Sequence, residues 1–365
     1  MKIRQFTEIA NTLFTIKQAE DFDNVGLLCG NPETKISGIL VCHDALENVI
    51  DEAISKKLNL VVAFHPIIFS GLKSITGKNY VERSIIKALE NKIAIYAIHT
   101  AFDNDFFGVN FRIANELGLK NQKILLPKKN NLCYLSVYVP TEFSEQVKVA
   151  LFSAGAGNIG FYDECSFSIS GKGTFRPKEG ANPYSGSINI RENADEKMIS
   201  VIFEDFKKNQ IIAAMKSAHP YEEVAYQITK LENENHFVGL GRFGELESEL
   251  SESEFLELLK NKLHLQVIRH SNFTGKKIKK VGLLGGSGAS GIPAAIAQNC
   301  DAYICGDLKY HDFFQAEGKI LLCDVGHFES EQFVMQQLVE ILSQNFTTFA
   351  ISKSTEKTNP VNYFL

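Results

Sequence analysis

Over residues 1–120, short continuous apolar runs alternate with segments whose apolar positions recur every three or four residues. "GILVCHDA" leads to "LENVIDEAISKK", "LNLVVAF" leads through a loop to "YVERSIIKALEN", and "KIAIYAIHT" follows. That alternation is the pattern of βαβ units and predicts a mostly parallel sheet covered by helices. Ahead of it, "MKIRQFTEIANTLF" places Ile3, Phe6, Ile9 and Leu13 on one face of a predicted helix. From about Lys128 the texture changes. "LCYLSVYVP", "TEFSEQVKVALFSAG", the glycine-rich "GTFRPKEGANPYSG" and "EKMISVIFEDFKKNQIIAAMKSAHPYEEVAYQIT" set two helices among alternating strands, which predicts a compact α+β unit of ferredoxin-like type. After "HFVGLGRFGEL" the first pattern returns with "KKVGLLGGSGASG", "IPAAIAQN", "CDAYICGD", "KILLCDVGH" and the helical "SEQFVMQQLVEILSQ". The predicted class is therefore α/β: a split α/β domain with mostly parallel sheets, over residues 1–127 and 233–365, interrupted by an inserted α+β ferredoxin-like domain over 128–232.

Composition narrows the partners. At 365 residues and 44% hydrophobic, the chain is long enough for two or three domains with buried cores. A net charge of -5 gives no global attraction to nucleic acid or an anionic membrane, so neither is an expected partner. No apolar run approaches the ~20 residues that span a bilayer, and the N-terminal segment lacks the apolar core of a signal peptide. A cytoplasmic location is the expectation. Seven cysteines without a CxxC pair predict reduced, buried thiols and not a disulfide framework or a zinc ribbon.

Candidate chemistry collects at strand ends, where open α/β sheets bind their ligands. His43 and Asp44 follow "GILVC", His65 follows "LVVAF", and His99 and Asp103 follow "IAIYAI". Asp307 and His311 follow "AYICG", and His327 and Glu331 follow "ILLCDVG". Singly, each has an ordinary structural use: a histidine packs, an aspartate opens a turn, and Glu331 meets the positive end of a helix. Repeated after five strands, they predict a shared cleft. Imidazole and carboxylate without cysteine suit an open site for one or two divalent ions, zinc, iron or manganese. Glu329, two residues from both His327 and Glu331, is expected to point elsewhere. A competing motif is "GGSGASG", in which Gly286, Gly288 and Gly291 fit GxGxxG after a strand. It reads as a dinucleotide turn, as a set of backbone amides for a substrate anion, or as a tight turn that simply requires glycine.

Seven stretches carry a resemblance over nearly the whole chain. They are "DFDNVGLLCG", "FHPIIFSGLKSI", "AIHTAFDNDFFGVN", "GGSGAS", "GDLKYHD", "DVGHFESE" and "NPVNYF", in this order. The chain resembles the Nif-three-like family of dinuclear-metal proteins, also called GTP cyclohydrolase 1 type 2 homologues. "KGTFRP" and "AHPYEEVAY" resemble the PII-like or CutA-like insertion of its longer bacterial members. The resemblance implies His65, Asp103, His327 and Glu331 as metal ligands, with Glu331 bridging two ions. Where the family has two adjacent histidines, this chain reads Phe64-His65. By that pattern His65 and His327 share one ion, and the other keeps Asp103 and Glu331 but lacks its histidine, a place that His43, His99, water or substrate would have to fill. The resemblance also implies a homo-oligomer, a hexameric ring of two stacked trimers whose openings the insertion caps.

Two functions follow as expectations. One is a metal-dependent hydrolase acting on GTP, another nucleotide or another small phosphate-containing substrate, with His99 or His311 in acid-base or ligand-orienting roles. The other is a non-catalytic metal-handling or regulatory protein whose insertion senses a small molecule or partner. For the second, His219, Glu222 and Glu223 form a separate polar site or simply open a strand after a turn.

Overall fold

Two compact units make up the computed structural model, which describes residues 1–364. One unit is built from residues 1–126 together with the chain from Val238 onward, and the other from Pro127–Phe237.

The first unit is mixed α/β and holds two sheets. Strands Gly38–Cys42, Leu60–Ala63 and Ala94–Ala97 are buried at every residue, as expected of parallel strands covered on both faces. They pair in parallel, with Gly26–Cys29 antiparallel on one edge and the C-terminal Ala350–Lys353 parallel on the other. Helices Glu47–Ser55 and Tyr80–Glu90 cover one face through Val49, Ile50, Ala53, Ile85 and Ala88. The second helix starts where the Asn79 side chain accepts from the Glu82 amide.

In the other sheet, parallel strands Ile278–Ser287, Ala302–Gly306 and Leu321–Asp324 lie between antiparallel neighbours Arg269–His270 and Asn235–Leu250, and Lys120–Lys128 forms the far edge. The two halves of the chain thus exchange edge strands, and one apolar cluster draws on both sheets, including Ile39, Val62 and Tyr96 with Val281, Ile304 and Leu321.

Two helices differ from the pattern in detail. Helix Ile3–Leu13 buries Ile3, Phe6 and Ala10, while Ile9 lies at the rim of the stripe and is exposed. The helix predicted from Ser330 instead begins at His327, breaks after Glu331 and resumes as Val334–Asn345. At the break, Gln332 Nε2 turns to the Leu263 and Glu329 carbonyls.

The second unit is a four-stranded antiparallel sheet in the order Phe167–Phe175, Glu192–Glu204, Leu132–Pro140, Tyr226–Leu231. With helices Ser144–Ser153 and Lys208–Ala218 after the first and third strands in sequence, this is a ferredoxin-like arrangement. Leu132–Pro140 buries Cys133, Leu135, Val137 and Val139 on one face, where Val147, Leu151, Ile211 and Met215 of the helices close the core. Among the described residues no helix is long and apolar enough to cross a membrane. All seven cysteines are free thiols, and six are buried.

Candidate metal centre

Parallel pairing brings the candidate side chains to one edge. Cys42 is level with Ala63, Ala63 with Ala97, and Cys305 with Asp324, so the strands end flush. The ladder runs on past the strands: the His65 amide donates to the His43 carbonyl and the His99 amide to the Phe64 carbonyl, each at 2.9 Å. On the other sheet, Gly326 at φ 91 lets the chain leave Leu321–Asp324 and enter a helix at His327. One helical turn later comes Glu331, so the i, i+4 spacing puts both on one side.

Three donor atoms then form an equilateral triangle. His65 Nε2 and His327 Nε2 are 3.4 Å apart, and each is 3.4 Å from Glu331 Oε2. Ligands on a tetrahedral ion with bonds of ~2.0–2.1 Å are separated by roughly 3.3 Å, so the three atoms have the spacing of one tetrahedral face. Carboxylates hold the imidazoles from behind. His65 Nδ1 donates to Asp44 Oδ1 at 2.9 Å and His327 Nδ1 to Asp307 Oδ2 at 2.7 Å, which directs both Nε2 atoms inward. His43 Nε2 lies 3.0 Å from Glu331 Oε2 and, because a carboxylate only accepts, donates to it. Phe64 is fully buried and stacks on His43 with ring centres 5.6 Å apart.

The electrostatics favour a cation. Glu331 is 3% exposed. Burial would raise its pKa, yet hydrogen bonds from His327, His43 and His65 hold it well below the carboxylate range. Burial would lower the His65 imidazole, but Asp44 and Glu331 push it up to about 10. His327 is likewise raised to about 9 against its burial, by Glu331 and Asp307. Asp103 shows the opposite balance: burial and then the charge of Glu331 raise it well above the usual range, and its Oδ1 is sealed from solvent without a hydrogen-bond partner. Three converging donors and an orphaned carboxyl oxygen fit a divalent ion, and the nitrogen and oxygen donor set suits zinc, iron or manganese.

This predicts proton release. At pH 7, below both raised pKa values, the two imidazoles carry protons that a metal must displace. Zinc titration of metal-free protein in buffers of different ionisation enthalpy is expected to show about two protons released per ion, falling toward none above pH ~10. A release near zero at pH 7 would contradict the assignment.

Of the ligands the family resemblance implies, the structure gathers His65, His327 and Glu331. Asp103 is charge-coupled to all three but stands outside the compact donor group. His99 lies beside the group, its ring centre 5.2 Å from that of His65, and Nδ1 donates to Asp23 Oδ1 at 2.8 Å. His311 does not join. It is exposed on the 3-10 segment Tyr310–Ala316 against Tyr310 and Phe314, while Asp307, nearer the strand end and also exposed, is the residue that reaches His327. Glu329 is not one of the three converging donors, and its Oε1 accepts from Asn359 Nδ2 at 3.2 Å, but against expectation it lines the same cavity as His65 and His327.

Nothing in the structure favours "GGSGASG" as a phosphate or dinucleotide turn. The amides of its three motif glycines are taken within the protein, Gly286 N by Ser330 Oγ at 2.8 Å, Gly288 N by the Gly306 carbonyl at 3.3 Å and Gly291 N by the Gly288 carbonyl at 3.0 Å. Glycine is needed for close approach instead: a Cβ at Gly286 would collide with Glu331 Oε1, at Gly288 with Cys305 and at Gly291 with the Tyr303 hydroxyl.

Sequence reasoning passed over Asp23 as a site residue. The "DFD" before the first strand was its only signal, and its partner His99 is 76 residues away.

An α/β scaffold that converges imidazoles and a carboxylate at its strand ends defines a candidate metal-binding protein. The chain belongs to the Duf34/NIF3 family (NGG1p interacting factor 3), whose family model matches residues 1–360. A Bacillus subtilis relative named "GTP cyclohydrolase 1 type 2 homolog" is 38% identical over 349 residues, 95% of this chain and 91% of its own length. A relative of the same name from Staphylococcus epidermidis (strain ATCC 35984) is 33% identical over the full length of both. Among solved structures, a Bacillus cereus protein related to NIF3 matches with a TM-score of 0.86 and 34% identity, covering 100% of this chain and 99% of that one.

Proposed function

We propose that the chain is a metal-dependent hydrolase acting on a nucleotide or another small phosphate-containing substrate, with the ion held by His65, His327 and Glu331. The observation that carries this reading is the 3.4 Å donor triangle, two of whose members line a cavity of about 530 Å³. Three protein donors leave a position free on a tetrahedral ion, and such an ion supplies an activated water and a charge for a phosphoryl oxygen. Asp44 and Asp307 keep the imidazoles turned toward that function. Arg269 lines the same cavity, anchored by Asp324 Oδ2 at 2.9 Å and the Leu308 carbonyl at 2.8 Å, so its guanidinium is fixed where it can meet an anionic oxygen of the substrate. His99, held by Asp23, is the residue proposed to move a proton. Asp103 belongs to the same proposal as a ligand of a second, weaker ion, because buried Phe64 offers no nitrogen where the family has one. The hexameric ring implied by the resemblance is proposed on the same footing.

A second reading, a non-catalytic metal-handling or regulatory protein, is supported by a ligand-sized cavity within the ferredoxin-like unit. Turnover of GTP and a panel of phosphate esters by protein loaded with zinc, iron(II) or manganese separates the two. Hydrolysis that disappears on chelation and in His327→Ala is the expected outcome. No turnover of any substrate by fully metallated protein would sink the hydrolase reading and leave the second.

A further inference from the structure

We propose that the ferredoxin-like unit carries a binding site for a small organic cation, where Phe175, Tyr184 and Tyr221 wall a cavity over the buried carboxylate of Glu196. The cavity has a volume of about 480 Å³, enough for a ligand with a single ring and a short arm. The ring centre of Tyr221 lies 5.8 Å from that of Phe175 and 6.4 Å from that of Tyr184. Aromatic faces are electron-rich and attract a cation placed over them.

Glu196 supplies the charge. It is 9% exposed, and its Oε1 accepts from the Tyr221 hydroxyl at 2.9 Å. Among the described residues its Oε2 has no hydrogen-bond partner, although the residue lines the cavity. That oxygen is not sealed from solvent, so an ammonium or guanidinium group entering the cavity can reach it and supply a donor together with the compensating charge. Gly173 permits this arrangement, because a Cβ there would collide with the Glu196 carboxylate.

The surrounding groups hold the walls in place. His219 does not belong to a separate polar site. Its Nε2 donates to the Tyr138 carbonyl at 2.9 Å and its Nδ1 accepts from the Tyr221 amide at 3.1 Å, which fixes the tautomer and positions Tyr221. Glu222 accepts from the Asn182 amide at 2.8 Å and ties the loop over residues 176–191 to the cavity rim. Glu222 and Glu223 line the cavity and so do Arg176 and Lys178, but all four are exposed, where solvent and salt screen two charges of each sign. The buried Glu196 is left as the charge that favours a cation.

The test is calorimetric titration of the whole chain with phenethylammonium, phenethyl alcohol and phenylacetate. Saturable binding of the ammonium is expected, at least about 10-fold tighter than either of the others, which is the effect of one charge-assisted contact. Glu196→Gln keeps the acceptor for Tyr221 and is expected to erase that preference with little change in Tm. Tyr184→Ala, at an exposed wall that leaves the buried contacts alone, is expected to weaken the ammonium several-fold. Removing metal with a chelator should change nothing, since the cavity lies wholly in its own unit. Equal binding of ammonium and alcohol, an unaltered preference in Glu196→Gln, or loss of binding with the metal would each overturn the proposal.

Discussion

Glu331→Gln is expected to empty the metal centre. Metal content after desalting should fall from about one ion per chain to below about one tenth, because breaking a buried ionic contact of this kind costs about 3–5 kcal/mol. The substitution keeps shape and volume but removes the negative charge to which His43, His65 and His327 all turn within 3.0 to 3.4 Å. Without that charge the raised pKa values of His65 and His327 should move back toward the ordinary imidazole value, since Glu331 is among the causes of both shifts. Elemental analysis and histidine NMR titration measure the two effects separately. Undiminished metal in Glu331→Gln would mean that the three-donor triangle is not the binding site.

Gly286→Ala should be nearly as damaging, although residue 286 offers no ligand atom. The backbone there has φ 70, which costs a residue with a Cβ about 1–2 kcal/mol. The new methyl would also collide with Glu331 Oε1 and meet His327 Cε1 at 3.4 Å, so it displaces two of the three donors. The expected result is a loss of about 2–4 kcal/mol in stability, together with at least a tenfold loss of zinc affinity. Gly275→Ala is the control: φ is 74, but nothing lies within 4 Å of the added methyl. It should carry the backbone cost alone and leave the metal in place. Equal metal binding by both variants would show that the glycine serves the turn and not the donors.

These two positions illustrate what could be read along the chain and what could not. His65, His327 and Glu331 were legible as candidates because parallel strands are continuous apolar runs: His65 is the first polar side chain after one, and His327 and Glu331 follow the Gly326 turn that ends another. The ferredoxin-like unit was legible for a related reason, since Leu132–Pro140 alternates strictly enough to declare its buried face. Gly286 was misleading: a local motif shared with phosphate-binding turns conceals a tertiary requirement, the approach of a helix 45 residues further on. Asp307 and His311 stand equally well after their strand in sequence, and only the 3-10 turn decides that the aspartate reaches His327 and the histidine faces solvent. The exchanged edge strands were hidden too. Ala350–Lys353 is short, partly exposed and carries little pattern of its own, so its place beside Gly38–Cys42 comes from pairing across some 310 residues.

Phe64 remains the position at which this chain departs from its family resemblance. It is fully buried, belongs to the apolar cluster between the sheets, and lies against His43, His65 and His99. An imidazole in its place would face the same group of donors. An anomalous-scattering map of zinc-loaded crystals, collected for the native chain and for Phe64→His, tests the metal centre most directly. The predicted result is a strong peak within bonding reach of His65 Nε2, His327 Nε2 and Glu331 in the native chain, with a second peak partial or absent there and strengthened in Phe64→His. Two equally occupied ions in the native chain, or a strongest peak away from those three donors, would contradict it.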